Sequence, residues 1–340
     1  MQEKIIQIRK KLEEDFGFIQ TVEDGGRNRF FHLKDNELYD FGASATRFVD
    51  SFVEPFNSAF IAPFSAKKAG VSVEEILAQW QLKGDKGREK GTVIHEYIEA
   101  FYKGEEKPFE YFVNKRVAKW MDEDALYMQG FLDMVESFHK FYEKTKDYLL
   151  PVVLELPIGD PNYENFYRLT EDFLNRLQEL ESVGFINEEI ELLRKAKGKF
   201  FGTTTEFMKF FVKTLKRSFT NTEASVLLEL AKLPGIMGIV DALFYDTRDN
   251  KLYIYDWKQG KPIVKKDKYY KRLFYPFSQF YAVNFFKYSI QLTIYKQIFK
   301  NISGLDMGMR IVHFDKEYSE FDMNDMREYL EIYFNTLKIV

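Results

Sequence analysis

The 340-residue sequence contains no cysteine. That excludes structural disulfides, thiolate zinc sites and cysteine-ligated iron–sulfur clusters. No apolar run is long enough to span a bilayer, and residues 1–17 are charged and amphipathic, unlike a secretory signal. The expectation is therefore a cytoplasmic protein without a membrane partner (host cytoplasm if it is viral). There is no Gly-x-x-x-x-Gly-Lys-Ser/Thr loop, so any unwinding of a duplex would need a helicase or recombination partner. Internal repeats, low-complexity segments and flexible linkers are also missing. Positive charge is not in excess either: 49 Lys and Arg against 53 Asp and Glu leave a formal charge of −4. This counts mildly against a nucleic-acid binder, unless the cations are gathered in one place.

They are gathered. Residues 194–217 carry Arg194, Lys195, Lys197, Lys199, Lys209, Lys213, Lys216 and Arg217. Residues 261–272 carry Lys261, Lys265, Lys266, Lys268, Lys271 and Arg272. Both stretches interleave cations with Phe or Tyr, the mixture that phosphates and unstacked bases would meet. For the first stretch a solvated helix face is an equal reading. The second is read as DNA-binding because of what precedes it. The chain is otherwise globular in composition, with 45% hydrophobic residues and 35 Phe and 21 Tyr to fill a core.

Periodicity predicts a helix over 1–20, a short hairpin from 29–32 and 37–41, and a helix through residue 53 capped by Ser44 or Thr46. Residues 73–82 and 92–102 are periodic, with a charged break over 83–91 between them. A helix over 122–148 precedes a strand at 149–156. Residues 162–216 read as almost wholly helical, a helical insertion spanning about 157–219 of a single domain over 1–340. From Glu223 the pattern turns to strands at 224–230, 236–245 and 251–257. A long aromatic and basic loop over 260–287 leads to a helix at 288–300, a strand at 307–314 and a last helix at 324–337. This order predicts an α/β core, a mixed central sheet flanked by helices, with helical additions.

The chemistry concentrates on two strands. Gly238-Ile-Val-Asp241 and Tyr255-Asp256-Trp257-Lys258 lie on neighbouring antiparallel strands, so Asp241 and Asp256 can meet across the ladder. Asp256 and Lys258 are two apart and share a face. Buried charges in apolar strands need partners. Paired carboxylates can hold a hard divalent cation, and a lysine beside it can orient a water or stabilise a developing phosphorane. Read alone, the same three residues also fit a structural ion network at a sheet edge. Upstream, His95 and Glu99 share one helix face in Gly91-Thr-Val-Ile-His95-Glu96-Tyr-Ile-Glu99. Downstream, Gln291 and Tyr295 are four apart on a helix. His32, His139 and His313 have no such company and read as satisfied side chains.

The ordered set Gly-x-x-x-His-x-x-x-Glu, Gly-x-x-Asp, Asp-x-Lys, Gln-x-x-x-Tyr resembles the RecB-like branch of the PD-(D/E)XK nuclease superfamily, phage-encoded and mitochondrial-maintenance exonuclease types included. Ser44-Ala-Thr46, Trp80, Phe274-Tyr-Pro-Phe277 and Arg310-Ile-Val-His-Phe314 are similar to segments of such members, so the resemblance covers roughly residues 40–105 and 220–340. It implies a restriction-endonuclease-like core. Asp241 and Asp256, with the backbone carbonyl of Trp257 and with His95, would bind one or two Mg²⁺ or Mn²⁺ ions. Lys258 would position the attacking water, and Gln291 and Tyr295 would support the site or hold DNA. Glu223 stands where many members carry an acidic residue, and Glu99 would back the ligands or bind a second ion. The implied activity is hydrolysis of DNA to 5′-phosphate and 3′-hydroxyl ends by an exonuclease or flap-type nuclease acting on single strands or ends. A structure- or sequence-specific endonuclease is the alternative. From another class, a catalytically idle DNA-binding or assembly protein on the same fold remains open. The insertion departs from the family's pattern; an arch or wall over the cleft is the expectation for it.

Overall fold

A computed structural model of the chain describes residues 2–24, 27–117, 125–163, 166–179, 185–201 and 204–337. The chain opens with helix α1 (Gln2–Phe16) and an antiparallel three-stranded sheet, β1 (Ile19–Asp24), β2 (Arg27–Lys34) and β3 (Glu37–Asp40). Strand β4 (Ala43–Ser44) leads into α2 (Ala45–Asp50), whose first turn is capped by the Ser44 hydroxyl accepting from the Arg47 amide. Helices α3 (Ser58–Ala69), α4 (Val73–Tyr102), α5 (Phe109–Val117) and α6 (Ala125–Thr145) follow, then the long strand β5 (Leu149–Asp160). The next stretch holds β6 (Phe166–Arg168), α7 (Glu171–Glu179), α8 (Asn187–Arg194), β7 (Phe200–Phe201), α9 (Thr204–Leu215), α10 (Asn221–Ala231) and β8 (Lys232–Leu233). Strands β9 (Ile236–Asp246) and β10 (Lys251–Gln259) form a hairpin; α11 (Asn284–Ser303), β11 (Gly308–Phe314), β12 (Tyr318–Asp322) and α12 (Arg327–Leu337) complete the chain. No helix among the described residues is long and apolar enough to cross a membrane.

The molecule is mixed α/β, its central sheet flanked by helices. Six strands run β12-β11-β10-β9-β4, with β5 also paired to β9. β10 and β11 are parallel and joined through α11, and β4 runs parallel to β9; the other pairs are antiparallel. Alternation along the strands builds two cores. On one face Ala242, Phe244, Tyr255 and Trp257 pack with Ile94, Ile98, Phe138 and Phe141 of α4 and α6. On the other, Leu243, Tyr245, Leu252 and Ile254 pack with Ile290, Ile294 and Ile298 of α11. Asp256 and Lys258 therefore fall on the α11 face, in register with Leu252 and Ile254.

Three expectations need correction. The charged break over 83–91 is the middle of one continuous 30-residue helix, α4. Its polar residues pair along the helix, with the Gln81 amide donating to Asp85 and Arg88 pairing with Asp85. Gln259 also fastens it from outside, donating from Nε2 to the Gly87 carbonyl at 3.0 Å. Second, residues 224–230 form not a strand but helix α10, started by a reciprocal Thr220/Glu223 capping box. Leu227, Leu230 and Ala231 recur at helical spacing and are buried. The Thr-x-x-Glu pattern of that box stands in the sequence at 220–223. Third, the insertion is not all helical. β7, β6 and β8 form a small sheet, and with α7 to α10 they enclose a separate core around Phe173, Leu177, Phe207 and Phe211. Of the predicted 122–148 helix, residues 122–124 lie outside the described residues.

Candidate metal centre

Asp241 and Asp256 sit where the sheet splits. The β9–β10 ladder is paired as far as Ala242 and Tyr255. Beyond that point β10 stays with β11 to Gln259, while β9 stays with β5 to Ile236. The Trp257 amide, freed from the ladder, donates to Asp241 Oδ2 at 2.7 Å. A side-chain carboxylate thus replaces a strand partner at the fork.

Glu155, not among the residues expected at the site, joins this fork from β5. Its neighbours pair as Leu154 with Ala242 and Leu156 with Val240, which puts Glu155 opposite Asp241. Its φ is +50°, a conformation that costs a glutamate of order 1–3 kcal/mol. Such outliers persist where the surroundings impose them, commonly at functional sites. The available signal was one carboxylate in the apolar run 149–158.

His95 reaches the same point from α4, which packs against β5 and β10. Its Nε2 lies 3.0 Å from the Trp257 carbonyl. A carbonyl only accepts, so Nε2 carries the hydrogen. Expected as a metal ligand, this carbonyl is engaged here in fixing the imidazole, the kind of anchoring that metal-ligating histidines show. In the neutral ring, Nδ1 then presents a lone pair to Asp241 Oδ1 at 3.6 Å and Glu155 Oε1 at 3.9 Å. The ligand atoms of His95, Glu155 and Asp241 all lie within 4.8 Å of one another. Around an octahedral ion with metal–oxygen bonds of about 2.1 Å, donors stand about 3.0 Å apart when adjacent and about 4.2 Å when opposite. The His95 distances of 3.6 and 3.9 Å lie between those two values, and a set of one nitrogen and two oxygen donors could hold a metal ion.

The electrostatics carry the same message. Burial, with Asp241, Glu99 and Asp256 adding repulsion, pushes the Glu155 carboxyl up to about 8. Burial also lifts Asp256 to about 6, against the pull of Lys258. Burial alone would lower Lys258, but the Asp256 and Asp241 carboxylates outweigh it and hold the ammonium charged. The Lys258 ammonium is paired with Asp256 and stands 4.9 Å from the centre of the Tyr288 ring.

The other expected residues divide. Gln291 donates to the Tyr295 hydroxyl at 2.9 Å, and the buried Tyr295 ring lies over Gly238. A Cβ at position 238 would come within 2.2 Å of that ring, which gives the glycine of Gly-x-x-Asp a steric reason. Gly238→Ala should therefore cost about 1–3 kcal/mol, measured by urea unfolding, and a Tyr295→Leu change should recover part of it. Glu99 is tied to Lys103 one turn along α4 and reaches the centre only through repulsion of Glu155. Glu223 is committed elsewhere: it caps α10 and pairs with Arg217 at 2.9 Å, outside the His95–Glu155–Asp241 group. Of the first basic stretch, Arg194, Lys197 and Arg217 are paired with Glu171 and Glu189 inside the insertion.

The second stretch leaves directly from β10. Lys261, Lys265, Lys266, Lys268, Lys271 and Arg272 are all exposed. Lys271 pairs with Glu54, and Arg272 lies 3.9 Å from the centre of the Tyr281 ring. His139 shares a hydrogen bond with the Tyr97 hydroxyl, as a satisfied side chain would. His32 stacks on Tyr39, but its buried Nε2 and that of His313 have no hydrogen-bond partner among the described residues, so these two are not the satisfied side chains expected. No protein-family model matches this chain, and no curated protein matches it.

Proposed function

We propose that the chain is a Mg²⁺- or Mn²⁺-dependent nuclease that hydrolyses phosphodiester bonds in DNA, built on a PD-(D/E)XK-type core of the RecB-like branch. One observation carries the reading. At the fork between β9 and β10, three lone-pair donors converge beside a buried carboxylate–lysine pair. His95, Glu155 and Asp241 would hold the cation, with Asp256 at its side. When bound, a divalent cation supplies Lewis acidity toward a phosphoryl oxygen and a more acidic water. Lys258 then holds a positive charge beside the reacting phosphate and orients the attacking water. Gln291 and Tyr295 hold the α11 side of the cleft, and the 261–272 cations draw the polyanion in.

Labelled single-stranded, duplex and flap DNA incubated with Mn²⁺ should be cut by the parent, and cutting should cease with EDTA or in Asp256→Ala. An exonuclease or flap-type enzyme leaves circular single-stranded DNA intact; its cleavage would assign a structure- or sequence-specific endonuclease. If every DNA form survives with Mn²⁺ present, the chain is instead an idle DNA-binding or assembly protein on this fold.

A further inference from the structure

We propose that exposed aromatic rings form a base-stacking platform for single-stranded nucleic acid, made of Tyr269, Tyr270 and Tyr275 on the 260–283 loop, which follows β10, and Phe60 and Phe64 on α3. The proposal rests on the nuclease reading for its choice of ligand and deepens it by naming the form of the substrate. These five rings are 62–70% exposed, so their faces are open to a ligand. The loop is tied to the chain segment that precedes α3. The Phe274 amide donates to the Phe52 carbonyl at 2.8 Å, and Lys287 pairs with Asp50 at 3.1 Å. The segment leading into α3 is thereby tied to the loop that leaves the catalytic strand. Phe60 and Phe64 are one turn apart with centres 5.4 Å apart, on a helix whose buried positions are Ala62 and Ala66.

Charge selects the occupant. Between residues 260 and 283 stand six cations and a single carboxylate, Asp267. Lys268 lies 4.6 Å from the centre of the Tyr269 ring and Lys266 lies 5.3 Å from that of Tyr270. A phosphodiester would draw these ammonium groups off the rings and free the ring faces for bases. Protein-binding patches are depleted of lysine at their centre, unlike this one. In a duplex the bases are stacked on each other and offer no face, so the partner is a single strand.

Anisotropy in EDTA tests this, with the full chain and labelled oligothymidine, its base-free abasic backbone and a duplex of equal length. Tyr269→Ser/Tyr270→Ser and Phe60→Ser/Phe64→Ser should each lose about 10–100-fold affinity for oligothymidine and keep their binding to the abasic backbone. Parent-like binding by both variants, or abasic and duplex ligands bound as tightly as oligothymidine, would overturn the platform. So would a loss of self-association in the Phe variant with unchanged DNA binding, which would assign the rings to a second copy of the chain. Because no metal is present, the two readings fail separately. Ring-dependent binding without cleavage refutes the nuclease and keeps the platform; cleavage indifferent to strand form and to the rings does the reverse.

Discussion

Replacing Lys258 by methionine should slow metal-dependent DNA hydrolysis by about 10²–10³-fold, the usual loss when one preorganised charge is removed from a reacting centre. Mn²⁺ should still bind, because Lys258 is not among the His95, Glu155 and Asp241 donors. The substitution also has a cost in the fold. Asp256 is 3% exposed, and Lys258 is its counter-ion. Stranding a buried carboxylate costs about 3–5 kcal/mol. Unfolding in EDTA should reveal that loss, and added Mn²⁺ should offset part of it. Asp256→Asn/Lys258→Met removes both charges and should recover most of the stability without any activity. The double variant thus separates a chemical role from a structural one. If Lys258→Met cut labelled DNA at the parent's rate, the proposed site would be wrong.

Without metal, the protein should lose stability as pH rises from about 5 to about 8, against the common trend for carboxylates. In the fold, Glu155 titrates near 8 and Asp256 near 6, both above ordinary carboxylate values. A group raised in this way contributes stability that is fully present below its unfolded value, near 4. That contribution is lost as pH climbs through the folded value. Glu155 is about one-third exposed, so solvent screening trims its share to on the order of a few kcal/mol. Mn²⁺ competes with that proton, so its stabilising effect should grow over the same interval. Melting curves across this range, in EDTA and in Mn²⁺, check both slopes. Glu155→Gln should flatten the EDTA profile and weaken Mn²⁺ binding by about 10-fold or more. An EDTA profile that rises steadily to pH 8 would remove Glu155 from the centre.

Local patterns were legible where one residue's chemistry meets one element's period. The β2–β3 hairpin, the Ser44 cap, the β9–β10 pair and the shared face of Asp256 and Lys258 all follow from alternation and turn residues. What escaped was decided by neighbours distant in the chain. Residues 83–91 read as a break because their glycines and charges oppose a helix in isolation. Gln259, at the end of β10, fastens that turn at Gly87. Segment 224–230 is dense in apolar residues but holds one β-branched residue, Val226, and its leucines pack into the neighbouring core as a helix.

The sequence by itself determined which groups exist to do chemistry: an acid–lysine pair two apart, a second aspartate after a glycine, a histidine on a helix, and no thiol anywhere. Only the tertiary structure decided which of them meet. It brought Glu155 in from β5, 86 positions before Asp241 in the chain, and sent Glu223 away to cap α10. The reason is that a cation site needs donors from several directions within a few ångströms. Here they come from two strands and a helix, converging where the β9–β10 ladder parts.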